Sequence, residues 1–306
     1  MKISIIGAGK VGTTVAYHIV LRGLASELVL QTRNLRRAEG DAMDLDHAQA
    51  LLPTQAEIRA GDIAATAASD ILLICASASF NPVMPSRLAL GPGNARMLEE
   101  LLPPLLDVSP DAILIMVSNP VDVLTWHALR ITGLAPSRVF GTGTLLDSIR
   151  FRRALSRTKG IHPDDLRAYI LGEHGETQFP AMSMAMAGAE LIDDTPAVRA
   201  TFSEVSRSGI EIFHMKGHTS YGIAAATTTI VESIVLDEKR TMPLSVRIDG
   251  FCGVNDVCLS LPVVVGRKGI TRILQPKLNA EECRAFQHSA QAVRRAIDES
   301  MPGNCF

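Results

Sequence analysis

A chain of 306 residues, 47% hydrophobic and 20% charged, can bury one large or two ordinary cores, and its formal net charge of −2 with 4% aromatics gives no basis for a nucleic-acid partner. No apolar run approaches the roughly 20 residues of a membrane helix, and Met1-Lys2-Ile3-Ser4-Ile5-Ile6-Gly7 enters a strand at once, leaving no room for a signal peptide. The cysteines Cys75, Cys252, Cys258, Cys283 and Cys305 include no C-x-x-C pair, which predicts free, mostly buried thiols in a reducing cytoplasm and no metal site.

The first half alternates short apolar runs with amphipathic stretches, the pattern of a parallel sheet covered by helices. Ile3–Ile6 is the first predicted strand. Gly7-Ala8-Gly9-Lys10-Val11-Gly12 follows it and opens a helix whose apolar positions are Val11, Val15, Ile19 and Val20, with Gly23 at its expected end. In that turn Gly7 permits the tight bend, Gly9 lets a pyrophosphate approach the backbone, and Gly12 lets helix and sheet pack closely. Lys10 and Val11 begin the helix, whose N-terminus offers N–H groups and partial positive charge to phosphate. The expectation is a dinucleotide site.

The second strand, Leu28–Leu30, runs into Gln31-Thr32-Arg33-Asn34-Leu35-Arg36-Arg37. An acidic residue at this point would bind a ribose 2′-hydroxyl and repel a 2′-phosphate; here none stands. Thr32 beside Arg33 therefore predicts that NADP is accepted as well as NAD. The same arginines read equally as the solvated start of a helix. Ile71–Cys75, Ile113–Val117 and Val139–Phe140 complete the predicted strands of this half, nearly all apolar as expected when both faces are covered.

Past Gly141–Thr144 the pattern changes. Arg199 to Asp237 reads as helix with breaks, Pro243–Ile248 and Leu259–Val265 as antiparallel strands, and a last amphipathic helix opens at Asn279 with Glu282 completing a capping box. Residues 1–143 are thus expected to form a dinucleotide-binding domain and residues 144–306 a substrate and catalytic domain.

Three segments place polar groups at strand C-termini, where a parallel sheet presents its sites. They are Val117-Ser118-Asn119-Pro120-Val121-Asp122, Gly141-Thr142-Gly143-Thr144-Leu145-Leu146-Asp147-Ser148-Ile149-Arg150, and Leu171-Gly172-Glu173-His174-Gly175-Glu176. On these residues the chain resembles the lactate/malate dehydrogenase family, in its L-lactate and L-2-hydroxy-acid branch, collinearly from Gly7 to the C-terminal helix.

The resemblance implies an α/β fold: a Rossmann-type doubly wound parallel sheet followed by an α+β substrate domain. It implies a hydride transfer between NAD(P)H and a 2-oxo acid, with His174 as acid/base and Asp147 holding its other ring nitrogen and favouring imidazolium. Arg150 would grip the substrate carboxylate with its planar fork, and Arg87 would close over the carbonyl and polarise it. Asn119 would lie near the reacting oxygen and the cofactor, and Asn94 is expected at the cofactor too. The structural alternatives are a helical ion pair for Asp147 and Arg150 and a core histidine for His174; all the residues matching in order favours catalysis.

Substrate choice in the resembling enzymes falls on the position of Asn81, Gln in lactate enzymes and Arg in malate enzymes. An uncharged lid residue would leave a second substrate carboxylate unpaired, so pyruvate or a larger apolar 2-oxo acid is expected over oxaloacetate. Lys216-Gly217-His218-Thr219-Ser220-Tyr221-Gly222-Ile223 points the same way and places Thr219 at the substrate. Met84-Pro85 replaces the usual Pro-Gly-Glu of the lid, a departure that puts closure and strong lactate turnover in doubt. Arg152 and Arg167 align with a sugar-bisphosphate site of some bacterial relatives, ordinary surface arginines being the favoured reading. A cytoplasmic homo-oligomer is implied, dimer or arm-free tetramer. The rival readings are a malate dehydrogenase and a non-catalytic nucleotide-sensing protein.

Overall fold

In the computed structural model, which describes residues 1–78 and 90–301, the first half of the chain alternates strand and helix. The elements are β1 (Lys2–Ile6), α1 (Lys10–Leu21), β2 (Glu27–Gln31), α2 (Leu35–Gln49), β3 (Glu57–Gly61), β4 (Ile71–Ile74), α3 (Gly91–Val108), β5 (Ile113–Met116), α4 (Val121–Thr132) and β6 (Val139–Gly141). Every predicted strand of this half is present to within two residues. The edge strand β3 (Glu-Ile-Arg-Ala-Gly) was missed, because it carries charge at Glu57 and Arg59 and forms no apolar run.

These strands are parallel in the order β3-β2-β1-β4-β5-β6. The order reverses direction between β1 and β4, and a crevice opens beyond the carboxyl ends of strands at such a reversal. The alternation of side chains explains the all-apolar runs. Ile3 and Ile5 of β1 and Ile113 and Ile115 of β5 join the core under α1, while Ile6, Leu114 and Met116 join a second core under α3 and α4. Each such Ile or Leu, fully withdrawn from water, contributes about 1.5–3 kcal/mol before entropy is counted.

The second half comprises α5 (Leu145–Lys159), β7 (Leu166–Arg167), β8 (Ile170–Leu171), β9 (Phe179–Pro180), β10 (Met186–Ala187), β11 (Glu190–Leu191), α6 (Pro196–Lys216), α7 (Tyr221–Val235), β12 (Arg240–Asp249), β13 (Asn255–Gly266), β14 (Gly269–Ile273) and α8 (Ala280–Ser300). The long strands β12 and β13 pair antiparallel, as expected, and they continue the first sheet: Ser245 of β12 pairs with Gly141 of β6. Among the described residues this sheet has nine strands, ending β6-β12-β13-β14. The break between α6 and α7 falls at Gly217, in the left-handed region at φ +75°. The capping box of α8 forms as predicted: the Glu282 N–H donates to Asn279 Oδ1 (2.9 Å), and the Asn279 N–H donates to Glu282 Oε2 (3.0 Å).

One expectation is corrected. Cys252 and Cys283, read from sequence as free thiols, are joined in a disulfide with their Cα atoms 5.6 Å apart. The first turns of α8 pack on the bend after β12, where Phe286 meets the Phe251 ring and Gln287 donates to the Cys252 carbonyl. That packing brings together two cysteines 31 residues apart with no local signal of pairing. Cys75 and Cys258 are free.

Candidate active site

The glycine turn closes as its sequence demands. Gly7 follows β1 at φ +100°, and a Cβ there would lie 2.4 Å from the Ala76 nitrogen at the end of β4. At Gly12 a Cβ would lie 2.4 Å from the Gly7 carbonyl oxygen. Gly9, by contrast, opens on empty space, and among the described residues no side chain caps α1 and no acidic group stands in its first turn. A passage lined by bare backbone, at the positive end of a helix, fits a pyrophosphate. Lys10 is exposed and Val11 half-buried at the start of α1. On the neighbouring strand end Thr32 is half-buried and Arg33 exposed, while Asn34 caps α2 by accepting from the Arg37 N–H at 3.2 Å.

The ends of β4 and β5 are tied together beside this turn. Ser118 donates to the Ala76 carbonyl at 2.5 Å. Asn94, fully buried on α3, accepts from the Ala78 N–H at 2.6 Å and donates to the Asn119 carbonyl at 2.7 Å. Its amide also accepts from the Ser77 hydroxyl at 3.3 Å, so Asn94 acts on the crevice through the segments it holds. Asn119 is half-buried and precedes a cis peptide bond to Pro120, which leads into α4.

The second wall is built from α5 and the loop after β8. Thr144 donates to the Ile170 carbonyl (2.5 Å) and its N–H donates to Ser260 Oγ (3.0 Å), locking the start of α5 against β8 and β13. Asp147, in the first turn of α5, is 3% exposed. One of its oxygens lies 2.6 Å from His174 Nδ1 and the other accepts from Arg150 Nη1 at 3.3 Å. A single buried carboxylate thus orients both an imidazole and a guanidinium, and a charge so placed is tolerable because both oxygens are bonded.

His174 is also held by its main chain. Its N–H donates to Asp122 Oδ2 at 2.7 Å, and Asp122 Oδ1 accepts from the Ser245 hydroxyl at 2.5 Å. Burial pushes the Asp122 carboxyl up to about 7, against the opposing effect of those two hydrogen bonds and of the nearby imidazole. Sequence reasoning gave Asp122 no role; the one signal was its place two residues after Pro120. Glu173, buried, accepts from the Thr177 hydroxyl and N–H and shapes the same loop. Gly175 lies close over that carboxylate, and a Cβ there would fall 2.5 Å from Glu173 Oε1.

Thr219 is half-buried just ahead of α7, whose Gly222 packs against the Leu146 side chain next to Asp147. The structure therefore brings His174, Asp147 and Arg150 together, with Thr219 on the adjoining segment. Arg87 and Asn81, and with them the rest of the lid reading, lie outside the described residues. Arg152 is half-buried on the next turn of α5, and its Nε finds no partner among the described residues, whereas Arg167 is exposed and donates to the Asp164 carbonyl. A cavity of about 370 Å³ between Trp126, Arg130, Leu134, Arg247 and Asp256 sits at the opposite end of α4 and contains none of the site's groups. Among the described residues no cluster of His, Cys, Asp and Glu could hold a metal ion, and no helix is long and apolar enough to cross a membrane.

Comparison with known proteins gives a consistent result. A family profile described as lactate/malate dehydrogenase, NAD binding domain, matches residues 1–141, and one described as lactate/malate dehydrogenase, alpha/beta C-terminal domain, matches residues 144–302. The L-lactate dehydrogenase of Salinibacter ruber is 38% identical over 301 residues, covering 95% of each chain. That of Thermoanaerobacter pseudethanolicus is 39% identical over 308 residues, covering 97% of this chain and 98% of its own. Among solved structures, MGS-M5, a lactate dehydrogenase from a Medee basin deep-sea metagenome library, superimposes with a TM-score of 0.92 at 34% identity. The minor L-lactate dehydrogenase of Enterococcus mundtii does so at 0.93 and 30%, and both comparisons cover 98% of each chain.

Proposed function

This chain belongs to the lactate/malate dehydrogenase family, and from that membership we propose that it reduces an uncharged 2-oxo acid, pyruvate or a larger apolar analogue, to the L-2-hydroxy acid. The observation that carries the reading is the shared carboxylate of Asp147, 2.6 Å from His174 Nδ1 and 3.3 Å from Arg150 Nη1.

The chemistry follows from that arrangement. With Nδ1 committed to Asp147, Nε2 of His174 is the atom that exchanges a proton with substrate. As imidazolium it gives that proton to the carbonyl oxygen during reduction, and as imidazole it takes the hydroxyl proton in the reverse direction. The Asp147 charge offsets the positive charge of the imidazolium. Arg150, held at one nitrogen by Asp147, turns its remaining N–H groups to the substrate carboxylate. Arg87 belongs to the same reading as the group that polarises the carbonyl, and Asn119 as a hydrogen-bond donor near the reacting oxygen. Thr219 and Asn81 would line the side-chain end of the substrate.

Gly7, Gly9, Lys10, Val11 and Gly12 would hold the cofactor pyrophosphate, and Thr32 and Arg33 the adenosine ribose, with Asn94 acting through Ala78 and Asn119. When bound, the nicotinamide supplies the hydride. Acceptance of NADP beside NAD is part of the proposal, supported by the absence of a carboxylate at the end of β2.

A homo-oligomer is inferred as well. Tyr17 and Leu21 on α1, Met43 on α2, and Tyr221 and Leu236 at the ends of α7 are large apolar side chains left exposed, and α1 packs against both other helices. Exposed apolar side chains on these neighbouring helices support the reading that a second copy covers them. A cytoplasmic location goes with the same reading.

The test is a panel of pyruvate, 2-oxoisocaproate and oxaloacetate, each with NADH and with NADPH. Turnover is expected with the uncharged acids. Preference for oxaloacetate would make the chain a malate enzyme, and cofactor binding without turnover on any of them would make it a sensor.

A further inference from the structure

The geometry points to Asp122 as a positioning residue for His174, acting through the main chain where Asp147 acts through the ring. This rests on the acid/base reading of His174 for its kinetic consequence, though not for its structural content.

Three segments far apart in sequence meet at the Asp122 carboxylate. Asp122 stands in the first turn of α4 and is 3% exposed. The His174 N–H reaches it at 2.7 Å across 52 residues, and the Ser245 hydroxyl at 2.5 Å across 123 residues. Ser245 is itself the residue of β12 that pairs with Gly141 of β6, so this end of the network is anchored in the sheet. At the other end lies a loop with little regular structure of its own. It leaves β8 through Gly172 at φ +88°, bridged to Ser260, and turns back at Gly175 around the Glu173 carboxylate.

A loop of this kind needs outside fixing if its side chain is to hold a proton-transfer geometry. Placement errors of about 1 Å cost on the order of 100-fold in rate. Asp147 on α5 holds the ring of His174 through Nδ1. Asp122 holds the main chain of the same residue from a second helix, α4. A sheet-to-helix staple between α4 and β12 needs only the bond to Ser245. The second oxygen of Asp122 is spent on the His174 main chain, which such a staple would not require.

The argument separates two substitutions. Asp122→Ala removes both bonds. Asp122→Asn can keep both, with Oδ1 accepting from the His174 N–H and Nδ2 donating to Ser245 Oγ, since a hydroxyl can reverse its role. The experiment measures amide hydrogen exchange in residues 172–177 of the full chain, then kcat, KM and cofactor dissociation constant, for wild type and both variants. In Asp122→Ala the His174 amide is expected to exchange ~10–100-fold faster, the size of a lost bond to a charged group. Its kcat should fall ~10–100-fold while cofactor affinity stays within about 2-fold of wild type. Asp122→Asn should restore most of the protection and bring kcat to within about 5-fold of wild type. Unchanged protection of His174 in Asp122→Ala overturns the proposal. So does an Asp122→Asn protein as unprotected as Asp122→Ala, or a loss of kcat matched by an equal loss of cofactor affinity, which would mark general disruption. Should Asp122→Ala fail to fold, the exchange of Asp122→Asn against wild type decides. If the wild type turns over no 2-oxo acid, the catalytic reading fails and the exchange comparison still judges Asp122.

Discussion

Replacing Asp147 by Asn leaves the shape of the site and removes its central charge. The carboxylate lies 2.6 Å from His174 Nδ1 and is 3% exposed, so solvent screens the pair weakly. Two unit charges whose centres are about 4 Å apart interact by roughly 4 kcal/mol at an effective dielectric constant near 20. That is an upper bound, because the amide oxygen can still accept from Nδ1–H. At about 1.4 kcal/mol per decade, the imidazolium and the transition state that uses it lose at most ~10³-fold, and ~10²-fold is the expected fall in kcat/KM. Arg150 loses its 3.3 Å partner in the same change, so the KM for the 2-oxo acid should rise while cofactor affinity does not change. The assay is steady-state oxidation of reduced cofactor by its absorbance, with cofactor binding followed by fluorescence. An Asp147→Asn enzyme within about 5-fold of wild-type kcat/KM would refute the reasoning.

Other predictions follow from single features. Gly12→Val should weaken cofactor binding by at least ~10-fold, since its Cβ would be driven 2.4 Å from the Gly7 carbonyl and displace the phosphate turn; titration of cofactor fluorescence measures it. Thr32→Asp should raise the ratio of kcat/KM for NADH over NADPH by ~10-fold or more, because a carboxylate there accepts from a 2′-hydroxyl and repels a 2′-phosphate; an unchanged ratio places the ribose elsewhere. His127 is buried against Ser300, with its Nε2 2.9 Å from that hydroxyl, and burial pushes its pKa down to about 4. The unfolded chain then binds a proton that the folded chain refuses, so this contribution to stability is complete above pH 6.5 and is lost as pH falls towards 4, up to roughly 3 kcal/mol. Denaturant unfolding of wild type and His127→Asn across pH 4.5 to 7.5 isolates it. Asp122, pushed upward to about 7, shifts stability in the opposite sense in both proteins and cancels in the difference.

The sequence was most legible where structure is local. The β1–α1 turn, the α8 capping box and the all-apolar parallel strands each depend on a few consecutive residues, and each was read from them. His174, Asp147 and Arg150 were expected together from the resemblance carried by their two short motifs, and the structure brings the three side chains into contact. Groups joined over long distances stayed hidden. The partners of Asp122 are 52 and 123 residues away, and Cys252 meets Cys283 through the docking of α8. The bonds of Asn94 to the main chain at Ala78 and Asn119 span 16 and 25 residues and leave no local pattern either. The strands β7 to β11, two residues each, are set by tertiary pairing and leave no periodicity to detect.

The most direct test of the whole account is a single turnover of His174→Asn enzyme loaded with reduced cofactor and mixed with a 2-oxo acid. The account predicts wild-type cofactor affinity and a rate of cofactor oxidation lower by at least ~10³-fold, since it assigns the proton of the new hydroxyl to His174. Oxidation at near the wild-type rate would contradict it.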